Sequence, residues 1–314
     1  MASWPGPPGR RETGRRDLLH RGSQIYVAGR PGSENESPRN VDLFETKSFS
    51  QGDKFMRILI GARRIVLVAG SVLALATFSV PFAVADPGCQ GLPTAAQLRS
   101  FLAKAAAGTG ISGPLGPGTG AGGLFGGSRS WAAVVNRDGK LCAFATSTAD
   151  PSQVWPGSQA IAKAKAYTAN AFSLDVLALS TARLYTFVQP GHSLFGLNQS
   201  NPFDPRFLAP PGGQWGGKDQ IAAGIITFGG GVPIYSVARS IIGGLGVSGD
   251  TACTDHEIAK RVRDLAGLNP SGGPLVDDIS YSSVDGASVF THPVCLNTLR
   301  NGVTIGTENP ATGY

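Results

Sequence analysis

The sequence predicts a mixed α/β domain, and three stretches carry that expectation. Gly224 to Leu268 reads as three short apolar strands, at 225–228, 232–235 and 241–247, with glycine-marked breaks and then one helix. Trp131–Val135 and Leu141–Ala145 flank Asn136-Arg137-Asp138-Gly139, and Asp-Gly between two β-rich runs is a hairpin signal. SQAIAKAKAYTANAF, from Ser158 to Phe172, has the spacing of a helix. A β-β-β-α unit with one apolar sheet face and one apolar helix face must bury both against another layer, so the partner layer lies upstream.

Each element has its own local warrant. Thr254 followed three residues later by Glu257 reads as a capping box that starts the last helix. Ile258, Val262 and Leu265 then form its apolar stripe, and Gly267 stands where the helix ends. In the 158–172 helix, Ile161, Ala164, Thr168, Ala171 and Phe172 mark the expected buried stripe, with Lys163, Lys165 and Asn170 off it. Pro93 to Ala107 predicts a further helix with Leu98, Phe101 and Leu102 on one face. Ser173 to Tyr185 predicts another short one.

At 314 residues the chain is long enough for one domain of ordinary size plus appendages. Its net charge of +6 suggests a polyanion partner only until it is mapped. Arg10, Arg11, Arg15, Arg16, Arg21 and Arg30 precede Met56, and Arg57, Arg63 and Arg64 flank an apolar run. The remainder is close to neutral, which argues against nucleic acid as a partner.

Residues 1–55 are polar and aperiodic, and read as disordered or as a mis-called extension. Residues 56–85 have the three parts of a signal peptide: a basic start, an apolar core from Ile65 to Val80, and Ala83-Val84-Ala85 before Asp86. The expectation is a secreted or periplasmic product cut at Ala85–Asp86, touching the membrane only through its leader. An uncleaved anchor is the alternative. The body then spans 86–268, with a Gly-rich linker at 108–129, flexible or looped, and a tail at 269–314 that packs on it, irregular apart from a possible strand at 279–283. Gly118, Gly120 and Gly123 fit G-x-G-x-x-G, but a helix precedes and a strand follows, the reverse of what dinucleotide binding needs. From 186 to 218 a long loop carries Phe187, Phe195, Phe203, Phe207 and Trp215, and reads as a lid over a bound molecule.

VVNRDGKLCAFAT, the A-x-x-KA-x-TA-x-AF helix, and GGGVPIY…IIGGLGVSGD…D-x-E-x-A resemble the GlcG-like, HbpS-type haem-binding family, also called haem-degrading. The resemblance runs from about Cys89 to Leu268. It implies an α/β (α+β) profilin-like GlcG fold, with an antiparallel sheet flanked by helices. It further implies homo-oligomers, with haem or a related tetrapyrrole as cofactor and partner, and in some members haem degradation. CQGLP, WPGS, QPGHSLFGLNQSNP, CTDH and HPVCLNT are similar to a longer exported branch of that family.

A haem site needs an apolar slot, an axial ligand and cations for the propionates. Phe195 and Trp215 are candidates for the slot, His192 or His256 for the ligand, and Lys165 for a propionate. Against these stand plain duties: a turn residue after Pro190-Gly191, a surface histidine off the core stripe beside a cap, a solvated helix face. Asp255 and Glu257 have dipole and capping duties. Cys253-x-x-His256 and His292-x-x-Cys295 mirror one another, so a metal set of Cys253, His256, His292 and Cys295 competes with disulfides and with free thiols. The preferred pairing is Cys89–Cys142 with Cys253–Cys295, which would bring His256 and His292 together. No catalytic signature appears, neither G-x-S-x-G nor H-E-x-x-H. The reading is a binding protein. The alternatives are a haem-degrading enzyme, or a small-ligand or structural protein that has lost the tetrapyrrole.

Overall fold

A computed structural model describes residues 87–200 and 223–311. All the described residues belong to one compact unit, which begins at Thr77. The expected extension at 1–55, the expected signal peptide at 56–85, and Phe203, Phe207 and Trp215 of the aromatic loop lie outside the described residues.

The hairpin forms as its Asp-Gly turn predicts. β1 (Trp131–Asn136) pairs antiparallel with β2 (Leu141–Thr146), and Gly139 takes the positive φ of 82° that the turn requires. β3 (Gly231–Tyr235) and β4 (Ile241–Ser248) form the second hairpin, and β4 also pairs with β1, giving one antiparallel sheet in the order β2-β1-β4-β3. Helices cover both faces. α1 (Ala95–Ala107) and α4 (Ala252–Leu265) pack on one, where Leu98, Leu102, Ile258 and Val262 meet Val134, Val232, Ile234, Leu245 and Val247. α2 (Ser158–Phe172) lies on the other, against Trp131, Ala133 and Val135. The α/β class and the antiparallel sheet flanked by helices are thus present. α1 begins as its sequence implies, with Thr94 and Gln97 closing a capping box.

Four local expectations fail, each for a physical reason. Residues 225–228 are not a strand, because side chains take their backbone bonds: the Ile226 N–H donates to Thr168 Oγ1 and the Phe228 carbonyl accepts from Thr181 Oγ1. The last helix starts earlier than Thr254. Thr251 is its N-cap and accepts from the Thr254 N–H, while Glu257 is drawn into ion pairs with Lys260 and Arg261. Its end is as expected: Gly267, at φ 70°, donates to the Asp264 carbonyl and Leu268 to that of Arg263, the paired bonds of a Schellman stop.

The stripe on α2 is the third. Ala171 is exposed and Ile161 and Phe172 only half-buried, whereas Lys163, Lys165, Ala162, Ala166 and Asn170 are buried. The reason lies in β4. A Cβ at Gly244 would overlap the Ala166 carbonyl, and one at Gly246 the Ala162 carbonyl. The strand is bare there, so α2 seats its small residues directly on the backbone and the bulky ones point elsewhere.

The fourth is the tail and the loops. Residues 173–185 hold a tight Leu174–Leu177 turn and a 3-10 turn at Thr181–Leu184 in place of a regular helix. The strand at 279–283 is replaced by α5 (Ser282–Asp285) and one bridge from Ser280 to Thr291. The tail instead makes a separate hairpin of β5 (Thr298–Arg300) and β6 (Val303–Gly306). Residues 108–129 are looped and tethered: the Leu124, Phe125 and Gly127 N–H groups all donate to the Asp250 carboxylate at the head of α4. α3 (Leu197–Ser200) is a single turn within the aromatic loop. Among the described residues no helix is long and apolar enough to cross a membrane.

Candidate functional site

The head of α4 gathers most of the charged and metal-competent side chains singled out in the sequence, and nearly all of them are buried. Lys165 reaches under the sheet from α2 and is fully buried. Its Nζ donates to Asp255 Oδ2 at 2.8 Å and to the Val247 carbonyl at 2.9 Å, and lies 4.9 Å from the Phe228 ring centroid. The other Asp255 oxygen accepts the Asp250 N–H at 3.0 Å. Burial presses the Asp255 carboxyl up to about 6 despite the ammonium beside it, and presses Lys165 down. At neutral pH the two form a satisfied ion pair, so Lys165 is not placed to meet a propionate at the surface.

His256 follows on the same helix, fully buried where the sequence suggested a surface position. Neither ring nitrogen has a hydrogen bond, and Nε2 stands 3.6 Å from Asp278 Oδ1, beyond bonding distance. Desolvation lowers its pKa more than Asp278 raises it, so the ring is neutral. Asp278 itself is held far below the usual carboxylate range: burial would raise it, but Lys260 and His256 outweigh that. One turn on, Arg263 and Asp277 pair at 2.6 Å with no exposure on either side chain. These partners come from the tail and were not legible in the sequence. Asp255 and Glu257, assigned dipole and capping duties there, are buried partners in this network.

The four cysteines are joined as Cys89–Cys142 and Cys253–Cys295. Cys253, Cys295 and His292 have their donor atoms within 4.8 Å of one another, but with both sulfurs in the disulfide they are not a ligand set in this state, and His256 is not within that group. His256 and His292 do approach. The Gly229 N–H donates to His292 Nε2 at 3.2 Å, a Cβ on Gly229 would stand 3.0 Å from the His256 Cβ, and His256 depresses the titration of His292. Burial is the main cause of that depression, down to about 4.

The remaining described candidates, His192 and Phe195, lie at the surface. His192 is half-buried, and Phe195, whose N–H donates to the His192 carbonyl, is 66% exposed. Nearby in the chain, Phe187 meets the tail's Phe290 edge-on at 5.8 Å, and the Arg183 guanidinium sits 5.4 Å from the Phe290 centroid. The aromatic loop is therefore anchored at its start to the tail.

A second surface feature escaped the sequence reading. Phe125 and the half-exposed Trp155 stand edge-to-face at 5.6 Å, with the Arg129 guanidinium 5.1 Å from the Phe125 centroid. Phe125 borders two concavities, one of about 210 Å³ with Arg129, Ser152 and Trp155, the other of about 530 Å³ along Leu102, Ala103 and Ala106 of α1. The larger falls in the usual range for small-molecule sites. Only the WPGS turn and the Gly-rich run around Phe125 marked this place in the sequence.

Residues 127–264 match the family model described as haem degrading protein HbpS-like. Among solved structures, the chain resembles Klebsiella pneumoniae protein ORFY at 22% identity, over 55% of this chain and 87% of that one, with a TM-score of 0.36. It resembles a PduOC:heme complex at 22% identity over 55% and 92%, TM-score 0.37. A double mutant of Streptomyces reticuli HbpS is 16% identical over 62% and 96%, TM-score 0.34. No curated protein matches the chain.

Proposed function

We propose, from the premise that residues 127–264 are an HbpS-like domain, that this protein binds haem or a related tetrapyrrole and works as an exported homo-oligomer. The family match carries the reading. Export is supported by the two disulfides, which form and persist in oxidising compartments. Of the three described histidines only His192 is not buried, so it is the axial ligand in this proposal, with exposed Phe195 beside it. His256 and Lys165 are structural.

Titration with haemin tests this. A Soret shift that His192→Ala removes and His256→Gln keeps is the expected result; loss with His256→Gln in a folded protein would move the ligand back to α4. No shift at all would leave a small-ligand or structural protein that kept the fold. The family description favours a second reading, oxidative haem breakdown with iron release. Bleaching of the bound Soret band in the presence of a reductant, with free iron appearing, would establish it.

A further inference from the structure

We infer that reduction of the Cys253–Cys295 disulfide turns the head of α4 into a binding site for one soft divalent cation of the zinc type, held by Cys253, Cys295 and His292 with the fourth position left to water. The donors are already gathered: the atoms of Cys253, Cys295 and His292 lie within 4.8 Å of one another, close to the mutual spacing that ligands keep around tetrahedral zinc. The two sulfurs need only separate from their bond.

The tautomer of His292 is fixed and leaves one ring nitrogen with a lone pair. Its Nδ1 lies 2.7 Å from the Pro293 carbonyl, an oxygen that only accepts, so Nδ1 carries the proton and Nε2 the lone pair. The Gly229 N–H donating to Nε2 agrees with this. A carbonyl on the far nitrogen is the usual support of a metal-bound histidine. Metal binding there exchanges one backbone hydrogen bond for a coordinate bond. His256, one turn beyond Cys253, is fully buried and faces the tail, its Nε2 3.6 Å from Asp278 Oδ1. Cys253 also sits in the first turn of a helix of 14 residues, where the macrodipole favours thiolate.

The chemistry balances with a dithiol as reductant. The dithiol loses two electrons and two protons and closes to its own disulfide, and Cys253 and Cys295 take them up as two thiols. The cation then binds both sulfurs and releases the two thiol protons.

The test uses full-length protein carrying Cys89→Ala and Cys142→Ala, so that one disulfide remains to be reduced. Cobalt(II) and zinc are added before and after dithiothreitol. The expected result is one metal per chain after reduction only, with the cobalt absorption of a tetrahedral two-thiolate site and a thermal midpoint raised by several degrees. His292→Gln should weaken binding at least tenfold, its fold being checked in the oxidised state by circular dichroism. Absence of uptake by the reduced chain would overturn the inference, as would uptake undiminished in His292→Gln or in Cys253→Ser/Cys295→Ser. Haemin plays no part in this test, so its outcome is independent of the tetrapyrrole reading.

Discussion

Gly246 shows how a single position sets the spacing of two layers. A methyl there would collide with the Ala162 carbonyl and crowd the Ala166 nitrogen, both backbone atoms of α2 that cannot rotate away. Gly246→Ala should therefore cost on the order of 3 kcal/mol, in the range of overpacked cores and backbone clashes. Urea unfolding would read it as a lower midpoint at unchanged slope, and a midpoint within error of the parent would mean that α2 can slide. The same glycines explain why the buried side of α2 was misread. Periodicity weighs large apolar residues, but here the close approach selects alanines, and Lys165 is carried under the sheet because Asp255 waits for it. A lysine's type gives no sign of a buried partner 90 residues away.

α4 is the element on which sequence and structure diverge most. Its apolar stripe, Ile258 and Val262, was legible and faces the sheet as expected. Its start was not, since Thr251 and Thr254 are both good caps and the choice is made by Asp250, Gly123 and the disulfide around them. Nor was its outer face, which carries Lys260, Arg261 and Arg263. All three are fully buried, against Asp278 and Asn301, against the Ala105 and Thr119 carbonyls, and against Asp277. Breaking a buried pair by removing one partner leaves the other charge stranded. Arg263→Met should thus cost about 3–5 kcal/mol, while Arg263→Met with Asp277→Leu should recover much of that. A double variant no more stable than the single would show that Arg263 acts mainly through the Pro233 and Pro274 carbonyls it also binds.

At the scale of the molecule, the disulfide-bonded protein should lose stability as the pH falls from 7 to 4. His292 titrates at about 4 and His256 below its ordinary value, so the unfolded chain takes up protons first. Their contribution is complete above about pH 6.5 and is lost as pH falls towards 4, for His292 about 3 kcal/mol. Asp255 works the other way: its carboxyl, raised to about 6, binds a proton more readily folded than unfolded and offsets part of the loss. Below about pH 4 Asp278 adds to the decline, because its depressed carboxyl stabilises the fold only while ionised. Calorimetry across this range should show a falling midpoint. A flat profile would mean that Asp255 cancels both histidines.

The fold class was legible because hairpin turns, strand alternation and helix caps are local codes. The candidate site was only half legible. Cys253, Cys295 and the two mirrored motifs around them do come together at the head of α4, but burial there depends on segments far away in the chain, and no local pattern states it. Residues 269–311 had no such code, being short bridges and hydrogen bonds to α4 with few periodic apolar runs.

The coverage of α4 by Asp277, Asp278, Cys295 and Asn301 has a consequence for biosynthesis. A nascent chain released only as far as Leu265 holds the whole helix, with Glu257 beside Lys260 and Arg261, yet lacks the Asp277 that pairs with Arg263, the Asp278 that pairs with Lys260 and the Cys295 that bonds Cys253. The domain matched at 127–264 therefore cannot finish folding while those residues are still inside the ribosome.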